Sequence, residues 1–139
     1  MIGTVKAPFR FRLDPESGVP VYRQIIDQVQ GGLASGALAR GEQLPTVRQV
    51  AVDLAINPNT VLRAYRELEI RGVLDTQQGT GTFISDRKVK QDETEHGRKL
   101  DQLVNEFVAR AGAGGFMVRE LVERLRGIEE EVSNVSIKE

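Results

Sequence analysis

The segment Gly41–Phe83 constrains the fold of this 139-residue chain more than any other part, because start and stop signals of helices alternate along it. Thr46 followed by Gln49 has the spacing of a capping box, in which a hydroxyl and a carboxamide satisfy free backbone amides at a helix start. Asn57 followed by proline predicts the start of another helix after a tight turn. The glycine-flanked turn Gly79–Gly81 then predicts a β-hairpin. Two capped helices followed by a hairpin are the order of a winged helix-turn-helix.

Upstream of this segment, the sequence predicts a short strand and a first helix. Phe9–Leu13 alternates apolar and basic residues, which is the two-residue period of a strand. Pro20 suits the first turn of a helix, and Ser35 followed by Gly36 is a stop signal about four turns later. Apolar residues recur between these signals at helical spacing, so we expect this helix to face a core.

The third predicted helix, which begins at Asn57, has two chemically different sides. At about 100° per residue, one side is apolar and would face the core; its members are Val61, Ala64, Tyr65 and Leu68. Asn59, Arg63 and Arg66 fall on the opposite side. Asparagine can pair with adenine, and arginine can pair with guanine or with phosphate. The outer side is therefore predicted to contact an anionic surface such as double-stranded DNA.

We predict one DNA-contact set that combines the second helix, the third helix and the hairpin tip. The set is Arg48, Asn57, Asn59, Thr60, Arg63, Arg66, Gln78, Gly79, Thr80 and Gly81. Each charged or polar member could instead be an ordinary solvated surface residue. The glycines could also form a phosphate-binding loop, but such a loop leads into a helix and strand residues follow here.

Composition excludes several classes of protein. The chain has no cysteine, which excludes disulfides and thiolate metal sites, and no apolar run approaches the roughly 20 residues of a membrane span. The N-terminus has no signal-peptide pattern, so we expect a cytoplasmic protein. No residues have the arrangement of a catalytic, metal or cofactor site, so we expect no enzyme activity, no metal and no cofactor.

Charge is unevenly divided along the chain. Residues 1–90 hold 12 Lys and Arg against 9 Asp and Glu, a balance of +3, whereas residues 91–139 hold 7 against 11, a balance of −4. Basic charge is thus concentrated in the part that carries the winged pattern, which favours an anionic partner. Ordinary scatter of charge along a chain explains the same division equally well.

The C-terminal part predicts a two-helix hairpin. Residues 85–94 are polar and read as a linker, and residues 112–115 are a glycine-rich break between two apolar helical stripes. Such a hairpin cannot bury both stripes alone, whereas a second copy of the chain would cover them. We therefore predict a winged DNA-binding unit over 1–85 and a homodimerisation module over 86–139, with an interface formed by Leu103, Phe107, Val118, Leu121, Val122 and Leu125.

Three motifs resemble signatures of the GntR family of bacterial transcription regulators. The pattern LPTxRxxA at Leu44–Ala51 resembles the family's second helix, TVxxAYxxLExxG at Thr60–Gly72 its recognition helix, and GxGTF at Gly79–Phe83 its wing. Together with the helix entry Pro20–Ile25, the resemblance covers roughly residues 8–85. It implies an α+β fold with an N-terminal winged helix-turn-helix.

Within that family, the helix start Asn57–Thr60 and the short C-terminal part resemble the YtrA-like branch. This branch is linked with transporter operons, so the resemblance implies a dimeric repressor of a small operon that binds a palindromic operator. The wider family often has arginine at the positions of Pro58 and Leu62, so base contacts of those relatives do not transfer. Arg63 is displaced by one residue from the second of these positions.

Two alternatives remain open at the level of sequence. A winged helix can bind protein, which an exposed apolar patch on the third helix would favour. A DNA-architecture module without effector control would bind DNA with little sequence preference. A small-molecule effector that acts through the 85–94 linker is compatible with the first interpretation, and its identity does not follow from the residues.

Overall fold

The computed structural model describes residues 8–87 and 92–137, with side chains up to residue 133. The helices and strands of these ranges are α1 (Val21–Ser35), α2 (Val47–Leu54), α3 (Pro58–Ile70), β1 (Leu74–Gln77), β2 (Gly81–Ile84), α4 (Glu93–Ala113) and α5 (Val118–Ile137). This order confirms the predicted α+β class with helices after the wing. The chain divides into two compact units, of which the second is Arg87–Asn134. We refer to α1 through β2 as the winged unit and to α4 with α5 as the helical unit.

The strand predicted over Phe9–Leu13 is wrong, because residues 8–14 form no strand and the backbone of Arg12 pairs with a side chain instead. The carboxamide of Gln28 on α1 accepts a hydrogen bond from the Arg12 N–H at 2.8 Å and donates one to the Arg12 carbonyl at 2.6 Å. The apolar alternation still has its expected effect on burial, since Phe11 lies in the core.

Both predicted caps of the helix-turn-helix are present. The Thr46 hydroxyl accepts from the Gln49 N–H at 3.1 Å, and the Gln49 carboxamide accepts from the Thr46 N–H at 3.0 Å. At the start of α3, the Asn57 side chain accepts from the Asn59 N–H at 2.8 Å. Each cap satisfies backbone amides that have no partner within their own helix.

The turn between α2 and α3 is closed by a residue other than glycine. The Ile56 N–H donates to the Ala51 carbonyl at 3.0 Å, and the Ala55 N–H donates to the Val52 carbonyl at 3.2 Å. Ala55 has a φ of 55°, the left-handed conformation that glycine adopts most easily. The tight turn fixes how α3 leaves α2.

α3 is the central helix of the winged unit, because it packs against α1, α2 and β1. Its predicted inner side is buried in full: Val61, Ala64, Tyr65 and Leu68. The Tyr65 hydroxyl donates to the Pro45 carbonyl at 2.7 Å, and burial raises the pKa of Tyr65 well above its usual range. The inner side therefore fixes α3 on the core and leaves its outer side exposed.

The wing is an antiparallel pair in which Leu74 lies opposite Ile84 and Gln77 opposite Gly81. Residues 41–44 also form backbone hydrogen bonds with β2, which the sequence did not predict. The Leu44 N–H donates to the Thr82 carbonyl at 2.9 Å, and the Gln43 position forms an isolated bridge with β2. The wing is thus tied directly to the segment that leads into α2.

In the helical unit a hydrogen-bonded turn separates the two helices, and few of the described apolar side chains are buried. α4 starts at the Asp92 cap and ends where Gly115, at a φ of 85°, closes a turn by donating to the Gly112 carbonyl at 3.0 Å. Among the described side chains of this unit, Ala111 is the only buried apolar one. Leu103 is 63% exposed and Phe107 46% exposed within one chain.

The linker predicted over 85–94 lies partly outside the described residues, since 88–91 are not among them. Residues 85–87 are non-helical, and the last positions of the predicted linker already belong to the cap and first turn of α4. None of the helices in the described ranges is both long and apolar enough to cross a membrane.

Candidate nucleic-acid interface

The outer side of α3 gathers three of the residues predicted to contact DNA. Asn59, Arg63 and Arg66 are exposed and line one shallow groove together with Leu62, Glu67 and Ile70. Their spacing of three to four residues places them along one face of the helix, where neighbouring side chains can reach the same surface. The two-sided pattern seen in the sequence is therefore present in the fold.

Arg48 and Arg66 carry positive charges that no carboxylate of the described residues neutralises. Among the described residues, neither guanidinium has a carboxylate within ion-pair distance. Arg71, at the other end of α3, is paired with Glu67 at 3.2 Å and also donates to the Gln30 carboxamide at 3.2 Å. Free guanidinium groups are the ones that can bind phosphate or guanine without first losing a partner.

Arg63 has a neighbour that the sequence analysis missed. Its guanidinium carbon lies 3.8 Å from the ring centroid of Tyr22 on α1, which is the geometry of a cation–π stack. Tyr22 is half-buried and packs against the core, as its helical spacing predicted. No local sequence signal could show the stack, because 41 positions separate the two residues.

Asn57 and Thr60 are tied into the start of α3. The Asn57 side-chain oxygen is used by the cap, and the Thr60 N–H donates to the Asn57 carbonyl at 3.0 Å. Asn57 is exposed and Thr60 half-buried. Their first role is to fix the helix start, and the Asn57 amide hydrogens remain the donors it could offer to a phosphate.

The wing tip presents Gln78, Gly79 and Thr80, which are all exposed. Gln43 is a second residue that the sequence analysis missed. Its carboxamide N–H donates a hydrogen bond to the Thr80 carbonyl at 3.1 Å. Gly81 has a φ of 134°, and a Cβ built there would lie 2.5 Å from the Gln43 amide nitrogen. Gly81 is therefore required by the brace between Gln43 and the wing, whether or not it also meets DNA.

Comparison with known proteins tests the family resemblance. Residues 21–84, which run from α1 to the end of β2, match the family described as "Bacterial regulatory proteins, gntR family". The HTH-type transcriptional regulator YhcF of Bacillus subtilis (strain 168), itself described as uncharacterized, is 37% identical over 112 residues; these cover 80% of this chain and 91% of YhcF. The chain belongs to the GntR family.

This GntR protein is also similar to a named repressor and to a solved structure. The HTH-type transcriptional repressor YtrA of Bacillus subtilis (strain 168) is 44% identical over 75 residues, which cover 54% of this chain but only 58% of YtrA. A solved structure described as a transcriptional antiterminator from Listeria monocytogenes EGD-e superposes with a TM-score of 0.66 at 26% identity, over 91% of this chain and 94% of that one. The resemblance to the family and to YtrA is confirmed, and these relatives carry the names of regulators rather than of enzymes.

Proposed function

We propose that this GntR protein is a cytoplasmic, sequence-specific DNA-binding repressor that acts as a homodimer on a palindromic operator. The observation that supports this most is the outer side of α3, where Asn59, Arg63 and Arg66 line one exposed groove. A helix with this chemistry fits the major groove, where asparagine and arginine discriminate between base pairs. The name of the YtrA relative supports repression rather than activation.

The wing and α2 extend the proposed interface beyond α3. Arg48 on α2 would bind a backbone phosphate, and the wing tip Gln78–Thr80 would lie on the neighbouring minor groove or backbone. Asn57 and Thr60 would hold the start of α3 against a phosphate. Gly81 belongs to the interface through the shape of the wing.

Protein binding is less well supported by the same surface. Ile70 is 80% exposed and Leu62 is half-buried, so the groove has two apolar side chains beside the three that can bind DNA. Its sixth lining residue, Glu67, has its carboxylate paired with Arg71. An interaction surface of useful size needs a larger continuous apolar patch. The charge of the outer side therefore favours nucleic acid.

The helical unit would supply the dimer. Its apolar stripe consists of Leu103, Phe107, Val118, Leu121, Val122 and Leu125; within one chain Leu121 is half-buried, Val122 is 38% exposed and the others are more exposed. A two-fold axis through this stripe would bury the same residues of both copies and place two winged units on one DNA molecule. Two recognition helices on one face of DNA fit half-sites about 10 base pairs apart, or a multiple of that. Control of a small, transporter-linked operon by an effector acting through the 85–94 linker is the regulatory part of the proposal.

Selection of an operator from a pool of randomised duplexes, at near-physiological salt, tests the function. We expect a palindromic site that is bound about 10³-fold or more tightly than scrambled DNA. Strongly salt-dependent binding without sequence preference would instead indicate an architectural protein. Failure to bind any duplex would indicate a protein-interaction module.

Replacement of single arginines separates base contacts from phosphate contacts. Arg63→Ala should weaken binding to the selected operator by about 1–3 kcal/mol and relax the preference at one base pair per half-site. Arg48→Ala should weaken binding to all sequences alike and reduce the salt slope by about one. Arg98→Ala is the matched control, because it removes the same charge from an exposed position of α4 outside the proposed DNA-contact set, and it should change the operator affinity little.

A further inference from the structure

The stack between α1 and α3 suggests a role for a residue outside the predicted contact set. We propose that Tyr22 is a positioning residue for operator recognition, and that its ring holds the Arg63 guanidinium in the orientation used on DNA. This inference rests on the proposed function, since it concerns how the same recognition surface is prepared. Tyr22 would influence specificity through Arg63 and would not itself touch DNA.

The geometry leaves the useful part of Arg63 free. With its carbon 3.8 Å from the ring centroid, the Arg63 guanidinium can stack on Tyr22 by its face, an arrangement that leaves the N–H donors pointing outward in the guanidinium plane. Those in-plane donors are the ones that bind the paired acceptors of guanine or two phosphate oxygens. The stack therefore does not compete with DNA for the hydrogen-bonding edge.

Tyr22 is itself well placed to act as a support. It lies in the first turn of α1, is half-buried, and packs against the core formed with α3. An exposed arginine on a bare helix samples many rotamers, and fixing it on binding costs conformational entropy. A ring held by the core reduces that cost in advance.

A double-mutant cycle tests this assignment. Tyr22→Leu should weaken binding to the selected operator about 2- to 30-fold, the range expected for loss of a cation–π stack. In an Arg63→Ala background, the same Tyr22→Leu change should have no further effect, because nothing remains to be positioned. Tyr22→Phe keeps the ring and should retain the affinity and base preference of the wild-type protein.

Leu33→Ala is the matched control for packing of α1, since Leu33 is also half-buried against the core. Leu33→Ala should show no coupling to Arg63, so its effect on operator affinity should be the same in the wild-type and Arg63→Ala backgrounds. Equal losses for Tyr22→Leu in both backgrounds would overturn the inference and make Tyr22 a packing residue. Tighter operator binding by Tyr22→Leu would also overturn it, because the stack would then hold Arg63 away from DNA.

A measurement on the wild-type protein does not depend on how the variants fold. The Arg63 δ-methylene protons should show an upfield ring-current shift by NMR in the free protein, and should keep it in the operator complex. Loss of that shift on DNA would overturn the inference even if Arg63 contacts a base. If the wild-type protein selects no operator at all, the proposed function fails together with the inference, and this outcome is distinct from a specific complex in which the stack is broken.

Discussion

The winged unit buries the apolar sides of its helices within one chain, whereas the helical unit leaves most of its apolar side chains exposed. In the winged unit, α3 is enclosed by α1, α2 and β1, and the apolar side of the helix is entirely buried. In the helical unit, the described apolar side chains remain largely exposed, apart from Ala111. The two units have similar amphipathic patterns, so the pattern alone does not decide whether a helix is covered by its own chain.

The comparison teaches that the two units have different kinds of stability. A closed core contributes a free energy of folding that does not depend on protein concentration. An exposed apolar stripe contributes only when something covers it, so its contribution under our proposal depends on the concentration of a second copy. Substitutions in the two units should therefore differ in kind as well as in size.

The largest effect should follow from Leu68→Ala in the winged unit. Leu68 is fully buried on the inner side of α3, so the change should lower the free energy of unfolding of this unit by about 2–5 kcal/mol. Hydrogen exchange of the α3 amides at several protein concentrations measures this, and the loss should be the same at each. Leu103→Ala is the matched change in the helical unit, and its cost should appear only at concentrations where the dimer forms. A concentration-independent cost for Leu103→Ala would break the comparison.

Leu121→Asp should have the next largest effect, on association rather than on folding. A carboxylate buried in the proposed interface would raise the dimer dissociation constant roughly 100-fold, and operator affinity would fall with it. Sedimentation velocity and operator titration measure both quantities. Asn105→Asp adds the same charge to an exposed position on the side of α4 away from its apolar stripe, and should leave both unchanged. Unchanged mass and affinity for Leu121→Asp would refute the interface.

Much of the winged unit could be predicted because its signals are local. The Thr46 and Asn57 caps, the helix ends and the hairpin each depend on residues within a few positions of one another. The contacts that were missed join distant parts of the chain: Gln28 pairs with the extended N-terminal segment, and Gln43 braces the wing. A polar side chain has no periodic signature, so neither partner could be identified from spacing.

The candidate site likewise combines features that local spacing predicted with a contact between distant residues that it did not. Helical periodicity identified the exposed side of α3, and the structure places Asn59, Arg63 and Arg66 there. Periodicity could not show that Arg63 is stacked on Tyr22, since the orientation of a long side chain depends on its three-dimensional neighbours. The dimer interface and the DNA contacts stay predictions, because both depend on molecules outside the chain.

A smaller effect is expected from the buried hydroxyl of Tyr65. Tyr65→Phe should lower the free energy of unfolding by about 1–2 kcal/mol at neutral pH, because the Pro45 carbonyl loses its donor. Burial raises the pKa of folded Tyr65, so above about pH 10 only the unfolded chain ionises at this residue and the wild-type protein loses stability. The difference between wild type and Tyr65→Phe should therefore be constant below about pH 10 and become smaller above it. Urea unfolding from pH 7 to pH 11 measures this, and a difference that stays constant over that whole range would contradict the buried tyrosine.

The smallest effect compares the two turns that join helices. Both turns need a residue with positive φ, and the winged unit uses Ala55 where the helical unit uses Gly115. Ala55→Gly relieves about 1–2 kcal/mol of backbone strain, but glycine adds about 0.5–1 kcal/mol of unfolded-state entropy, so a net gain of up to about 1.5 kcal/mol is expected. Gly115→Ala should lower the stability of the helical unit by about 1 kcal/mol, since its added Cβ meets nothing within 4 Å and only the φ angle opposes it.

Ala34→Gly provides the control for this pair, because Ala34 lies exposed in the last turn of α1 with helical backbone. It should lower stability by about 0.5–1 kcal/mol, so the same chemical change has opposite signs at Ala34 and Ala55. Thermal unfolding of the three variants decides the point. A loss of stability for Ala55→Gly as large as that for Ala34→Gly would mean that the turn does not strain Ala55. The two units would then differ only in how their apolar sides are covered, and not in how their helix turns are made.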